Sequence, residues 1–193
     1  MEYAVLVLGW VLYFFIHSLL ASAWCKAAVR RMFGGDRYYR IVYSVLSIAG
    51  LFALLFQGNQ IEAAYFWDRS AIVRYLSLVV TTFGVMVIQS SFRQYSLKAF
   101  LGFGDEGEAF KQSGILNWVR HPIYSGLILV TIGYFFFIPN LPSLVSALSI
   151  LVYLPIGIAL EERKLLAIFG DRYRQYCEEV PSIIPKLSKL RTL

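Results

Sequence analysis

Five apolar runs divide the chain, near residues 3–23, 41–57, 71–92, 122–138 and 143–160. Each falls within the roughly 17 to 25 residues that a helix needs to cross a bilayer, so the pattern predicts an all-α integral membrane protein with five transmembrane helices. "PNLP" separates the last two runs, which are therefore read as a tight helical hairpin. Helices of that length rise about 24 to 27 Å at roughly 1.5 Å per residue, so the two inner ends of the hairpin return to one depth. The first run is read as a retained helix, since Glu2 stands where a signal peptide carries basic residues and His17 and Trp24 are foreign to its apolar and cleavage regions. Beyond the fifth run, Leu165, Leu166, Phe169, Tyr173 and Tyr176 recur at helical spacing, with Gly170 as a break and Pro181 as a stop. That pattern predicts a C-terminal amphipathic interfacial segment within a tail spanning 161–193.

Composition agrees with a membrane solvent. Of 193 residues 58% are hydrophobic and 16% charged, with a mean hydropathy of +0.61. The net charge of +6 is assigned to loop topology rather than to nucleic acid, because basic membrane proteins concentrate Lys and Arg on their cytoplasmic loops. Sixteen basic residues fall on one side of the five spans and two, Arg69 and Arg74, on the other. The expectation is an inner- or cell-membrane protein with its N-terminus outside and its C-terminus in the cytoplasm. Cys25 and Cys177 then lie toward the cytoplasm, where free thiols are expected.

The longest connection, residues 93–121, is a candidate functional segment. Its "GFGDEG" matches G-x-G-x-x-G at Gly102, Gly104 and Gly107, but no strand precedes it and Asp105 and Glu106 would repel a pyrophosphate. A flexible loop, or one that folds over a ligand, is the better reading.

Chemistry concentrates at the inner ends of the hairpin. "NWVRHPIYSGLI" places Arg120, His121 and Pro122 at the head of the fourth span, and Glu161 and Glu162 close the fifth. The hairpin geometry brings these groups together although 39 residues separate Pro122 from Glu161. Two readings stay open: a salt-bridged collar at the membrane surface, or a ligand site. No H-x-x-H or cysteine cluster accompanies them, so no metal is expected. His17, in "FFIHSLLAS", is an isolated polar group within a span, either packed through a hydrogen bond or lining a site.

"VRHPIYSG" followed by "LEERKLLAIFGDRYRQYCEEVPSIIP" resembles the paired signature of the integral-membrane methyltransferases that include isoprenylcysteine carboxyl methyltransferase and phosphatidylethanolamine N-methyltransferase. The likeness covers about the last 75 residues. In the N-terminal half, "HSLLAS" and "YYRIVYSVLS" are similar to the branch containing methanethiol S-methyltransferase and nitrite-reduction-associated membrane proteins. The resemblance implies a single transmembrane methyltransferase domain over 1–193 that uses S-adenosyl-L-methionine. By motif position Arg120, His121, Tyr124, Glu161 and Glu162 would line the cofactor pocket, with Tyr173 and Tyr176 in a covering segment. Carboxylates, a cation and aromatic faces complement an ammonium, a carboxylate, ribose hydroxyls and a sulfonium. His17 would serve as base or orienter toward the acceptor, its unperturbed pKa being about 6.5.

The acceptor is expected to be a small thiol or another lipophilic molecule from the membrane lipid phase. "PIGIALEE" departs from the pattern of the prenylcysteine carboxyl methyltransferases it resembles, which places a basic residue ahead of the acidic pair to hold the acceptor carboxylate, so the resemblance implies that an anionic acceptor would need another cation, Arg93 or Arg120. A carboxyl or phospholipid N-methyltransferase, and a non-catalytic membrane binding or assembly protein, are the alternatives.

Overall fold

The structure, a computed structural model, describes residues 1–33, 37–94 and 113–186. Among the described residues seven α-helices follow one another: α1 (Glu2–Ala21), α2 (Ala23–Phe33), α3 (Arg37–Asn59), α4 (Ala71–Gln94), α5 (Pro122–Phe137), α6 (Leu141–Phe169) and α7 (Asp171–Glu179). A short 3-10 turn, Gly114–Asn117, precedes α5. The "GFGDEG" motif lies outside the described residues.

Among the described residues four helices are long and apolar enough to cross a membrane: α1, α3 from Ile41, α4 as far as Arg93, and α6. At 16 residues α5 is a shorter apolar helix. Phe15, Phe52, Phe83 and Val152 are all more than half exposed. Such a skin of large apolar side chains is unfavourable against water and neutral against lipid tails.

Two packing modes join the helices. Between α4 and α5 it is the absence of side chains that matters. A Cβ on Gly84 would stand 2.7 Å from the carbonyl oxygen of Gly126, and one on Gly126 would stand 2.6 Å from both the Gly84 carbonyl oxygen and Ile88 Cγ1. These glycines let two backbones touch, the arrangement by which helices associate where lipid supplies no hydrophobic drive. Around α1, α3 and α6 large side chains interlock instead: Leu6, Trp10, Ile61 and Ile150 form a buried cluster flanked by Tyr13, Phe14 and Leu54. Trp10 donates its indole N–H to Ser146 Oγ at 3.2 Å, which satisfies both buried groups. Phe14 stacks on Tyr153 with ring centroids 4.1 Å apart.

The turn between α5 and α6 is built by its own sequence. The Asn140 side chain accepts from Ser143 N at 3.0 Å while Ser143 Oγ accepts from Asn140 N at 3.3 Å, a reciprocal capping box. Pro142 sits in the first turn of α6, where its missing N–H costs nothing. The 60–70 connection folds against this turn, with Phe66 N donating to Pro139 O at 2.8 Å and Arg69 lying 4.9 Å from the Tyr65 ring centre. Trp67, Phe135 and Phe136 complete an aromatic band of the kind found at membrane–water boundaries.

At the other end, α6 does not stop at residue 160. It continues unbroken to Phe169, so the acidic pair and "RKLLAIF" belong to the hairpin helix rather than to a separate tail. Gly170 then breaks the helix at φ +54°, a left-handed conformation that suits glycine. Helix α7 folds back so that Tyr173, Tyr176 and Val180 pack with Leu165 and Phe169. The stretch "AWCKAAVRRMF", read from sequence only as a basic connection, is the helix α2.

Candidate active site at the inner end of the hairpin

Pro122 opens α5, and the residues ahead of it are pinned from three directions. Arg120 uses its whole guanidinium fork: Nε and Nη2 donate to Glu162 Oε1 at 3.1 and 2.7 Å, and Nη1 donates to the carbonyls of Cys177 and Val180 at 2.9 and 2.6 Å. His121, 3% exposed, places Nε2 2.9 Å from the same Glu162 oxygen. Backbone bonds extend the clasp, from Arg120 N to Pro181 O and from His121 N to Ser182 O, both 2.9 Å. Ser125 Oγ donates to Ile183 O at 2.7 Å. Burial opposes the charge on Arg120, but the bond and charge of Glu162 outweigh it and hold the guanidinium proton more tightly than usual.

The hairpin therefore brings Arg120 and His121 against the acidic pair, yet the two carboxylates face different surroundings. Glu162 is engaged in the clasp. Glu161 is more exposed, its Oε2 3.8 Å from His121 Nδ1, and it faces the Tyr124 hydroxyl. Both Glu161 and Tyr124 line a cavity of about 570 Å³ enclosed by α1, α2, α3, α5 and α6. That size falls within the roughly 300–1,000 Å³ typical of small-molecule sites.

His17 lies on the same cavity wall. Its Nδ1 is 3.1 Å from Ser47 Oγ and its Nε2 3.1 Å from the Tyr43 hydroxyl. Sequence reasoning left open whether this residue is packed or lines a site, and the geometry gives it both a hydrogen-bonded setting and a cavity face. Tyr39, Tyr43 and Tyr153 add aromatic hydroxyls to the wall, and Lys26 and Lys164 add ammonium groups. None of these five emerged from the sequence. The signal available for two of them was weak: Tyr39 and Tyr43 repeat at i, i+4 on a helix otherwise suited to lipid.

Tyr173 and Tyr176 stand apart from the cavity. They are 1% and 4% exposed, and Tyr176 donates its hydroxyl to Leu116 O at 2.6 Å, tying α7 to the turn before α5. Cys25 and Cys177 are free thiols. Burial pushes the Cys177 thiol up, with the nearby Arg120 charge offsetting part of that rise. A second, apolar groove of about 400 Å³ runs between α1 and α6, lined by Trp10, Phe14 and Val152, and shares Tyr153 with the polar cavity.

The chain is similar to Methanethiol S-methyltransferase 2 of Bradyrhizobium diazoefficiens, 29% identical over 160 residues, which are 77% of this chain and 60% of that protein. It is 42% identical over 78 residues to Methanethiol S-methyltransferase 1 of the same organism, covering 39% of this chain and 26% of that one. Protein-S-isoprenylcysteine O-methyltransferase of Schizosaccharomyces pombe is 38% identical over 73 residues, 37% of this chain and 31% of its own length. The chain thus spans between about a quarter and three-fifths of these curated relatives. No solved structure matches it. The model of the NnrU protein family matches residues 5–188, nearly the whole chain, and the protein is a member of that family.

Proposed function

We propose that this protein is an integral-membrane methyltransferase that uses S-adenosylmethionine to methylate a small thiol or another lipophilic acceptor in the cavity bounded by His17 and Glu161. The observation that carries the reading is that these residues, 144 positions apart in the chain, line one polar cavity together with Tyr43 and Tyr124. The similarity to methanethiol and isoprenylcysteine methyltransferases supports the same reaction class.

The donor set suits the cofactor. Glu161 offers a carboxylate for an ammonium or a hydroxyl, the ammonium groups of the wall offer partners for a carboxylate, and the tyrosines offer aromatic faces to a sulfonium. When bound, S-adenosylmethionine supplies an electrophilic methyl on a cationic sulfur. On transfer to a thiol acceptor, His17, whose ring Tyr43 and Ser47 orient, would take the proton that the thiol gives up. Holding donor and acceptor in line favours the transfer, and a site drier than bulk water favours it further because the positive charge held on one sulfur spreads over two as the methyl passes between them.

In this reading Tyr124 and Glu161 contact the cofactor directly. Arg120, His121 and Glu162 hold the floor behind them, and Tyr173 and Tyr176 keep the segment after α6 pressed against it. The apolar groove beside Tyr153 gives a lipophilic acceptor a route from the bilayer. Helix α5, about 24 Å long at 1.5 Å per residue, crosses as the fourth of five spans beside α6, leaving the N-terminus outside and the cavity mouth on the cytoplasmic side. The test is transfer of labelled methyl from the cofactor to a panel of short thiols, amines and prenylcysteines by the detergent-purified chain. Thiol products support the reading, and no transfer to any acceptor by folded protein removes it.

A further inference from the structure

Two ammonium groups line the cavity. Lys26 comes from α2, and Lys164 from α6 almost one turn beyond Glu161. Lys164 Nζ donates to the carbonyl of Ala21 at 2.6 Å. Ala21 ends α1, where helical carbonyls lack internal partners, so one bond both caps that helix and fixes the ammonium in place. Two further N–H groups of Lys164 remain for a ligand.

The charges on Lys26 and Lys164 act on each other. Holding like charges together is unfavourable unless an anion joins them. Among the described residues lining the cavity, Glu161 is the one carboxylate; its charge also acts on Lys164, but it is shared with Tyr124 and the His121 ring, so a single anion serves two ammonium groups. The cations suggested by sequence lie elsewhere. Arg120 directs its fork at Glu162, Cys177 and Val180, and Arg93 is exposed in the last turn of α4.

Resting on the methyltransferase reading, we infer that Lys26 and Lys164 form a carboxylate subsite on the cavity wall, taking the carboxylate of an amino-acid-like ligand. Ammonium groups act here as point charges that strengthen their hydrogen bonds to an anion. The carboxylate can belong to the cofactor or to the acceptor, and experiment separates the two.

Lys26→Gln and Lys164→Gln are compared in the full, detergent-purified chain, with Lys164→Arg as a charge-retaining control for the α1 cap. If the cofactor's carboxylate occupies the subsite, each Gln variant weakens binding of S-adenosylmethionine about tenfold or more and leaves binding of its decarboxylated counterpart unchanged. If the acceptor's carboxylate does, cofactor affinity holds while KM for 3-mercaptopropionate rises by a similar factor and KM for ethanethiol does not. Variants that shift carboxylate-bearing and carboxylate-free ligands equally, or shift neither, overturn the subsite. Calorimetry with 3-mercaptopropionate against ethanethiol reads the same subsite without turnover. Lysine-dependent preference for the carboxylate in a chain that transfers no methyl would keep the subsite and remove the methyltransferase reading. Absence of such preference in that chain overturns the subsite as well.

Discussion

The Arg120 guanidinium and the Glu162 carboxylate meet at 2.7 Å across 42 residues of chain. Because the same guanidinium also holds the carbonyls of Cys177 and Val180, this pair locks the head of α5, the end of α6 and the segment after α7 into one unit. Glu161, its neighbour in sequence, faces the cavity instead. Adjacent carboxylates therefore have different tasks.

That division gives the first prediction. Glu162→Gln and Arg120→Ala should each cost about 2 kcal/mol of stability, since removing one partner leaves the other partly buried and under-satisfied. Glu161→Gln should leave the melting temperature nearly unchanged and weaken cofactor binding about tenfold. Glu178→Gln and Glu179→Gln, at exposed positions of α7, serve as controls that change neither. Thermal melts paired with binding titrations read all five variants.

His17 and Tyr43 give the second. His17→Ala should lower turnover at least tenfold with cofactor affinity nearly unchanged, and Tyr43→Phe should produce a smaller fall because the imidazole keeps Ser47. Separate measurement of kcat and cofactor Kd checks this. A loss of activity that only follows the folded fraction would assign His17 to packing.

The contact between α4 and α5 gives the third. Gly126→Ala should destabilise the chain by about 1 to 3 kcal/mol, because the new Cβ meets the Gly84 carbonyl and Ile88 and neither backbone can move away alone. Gly170→Ala should also destabilise, through backbone strain rather than crowding: nothing lies within 4 Å of a Cβ there, but φ is +54°. Comparing both variants with Gly→Ser at the same sites separates volume from conformation.

Cys177 supplies a pH-dependent test. Burial raises its thiol above the ordinary range, so less thiolate is present at pH 7 and alkylation should be slow. A Cys177→Ser chain carrying Glu178→Cys, at an exposed position, should react faster at that pH. The rate at Cys177 should keep rising beyond about pH 8.5, where an unperturbed thiol is already half ionised.

Much of this fold was legible in the hydrophobic pattern. The runs at 122–138 and 143–160 match α5 and the first two-thirds of α6, and the contact of Arg120 and His121 with the acidic pair followed from hairpin length alone. The sequence did not show that α6 runs on to Phe169, because Glu161 and Glu162 look like a span's end while remaining good helix formers. Helix α2 was hidden for a related reason: its basic residues read as a connecting loop. The different roles of Glu161 and Glu162 could not be read either, since neighbouring helical residues point about 100° apart and only the packing of the segment after α7 decides which one is clasped. Lys26, Lys164 and Tyr153 reach the cavity through tertiary contacts among α1, α2 and α6 that no local pattern records.

The central claim is that the cavity shared by His17 and Glu161 binds S-adenosylmethionine, and calorimetric titration of the folded, detergent-purified chain with that cofactor tests it most directly. Saturable binding at one site per chain, weakened about tenfold by Glu161→Gln and unchanged by Glu178→Gln, is the predicted result. No heat of binding at millimolar cofactor, or binding indifferent to Glu161, would contradict it.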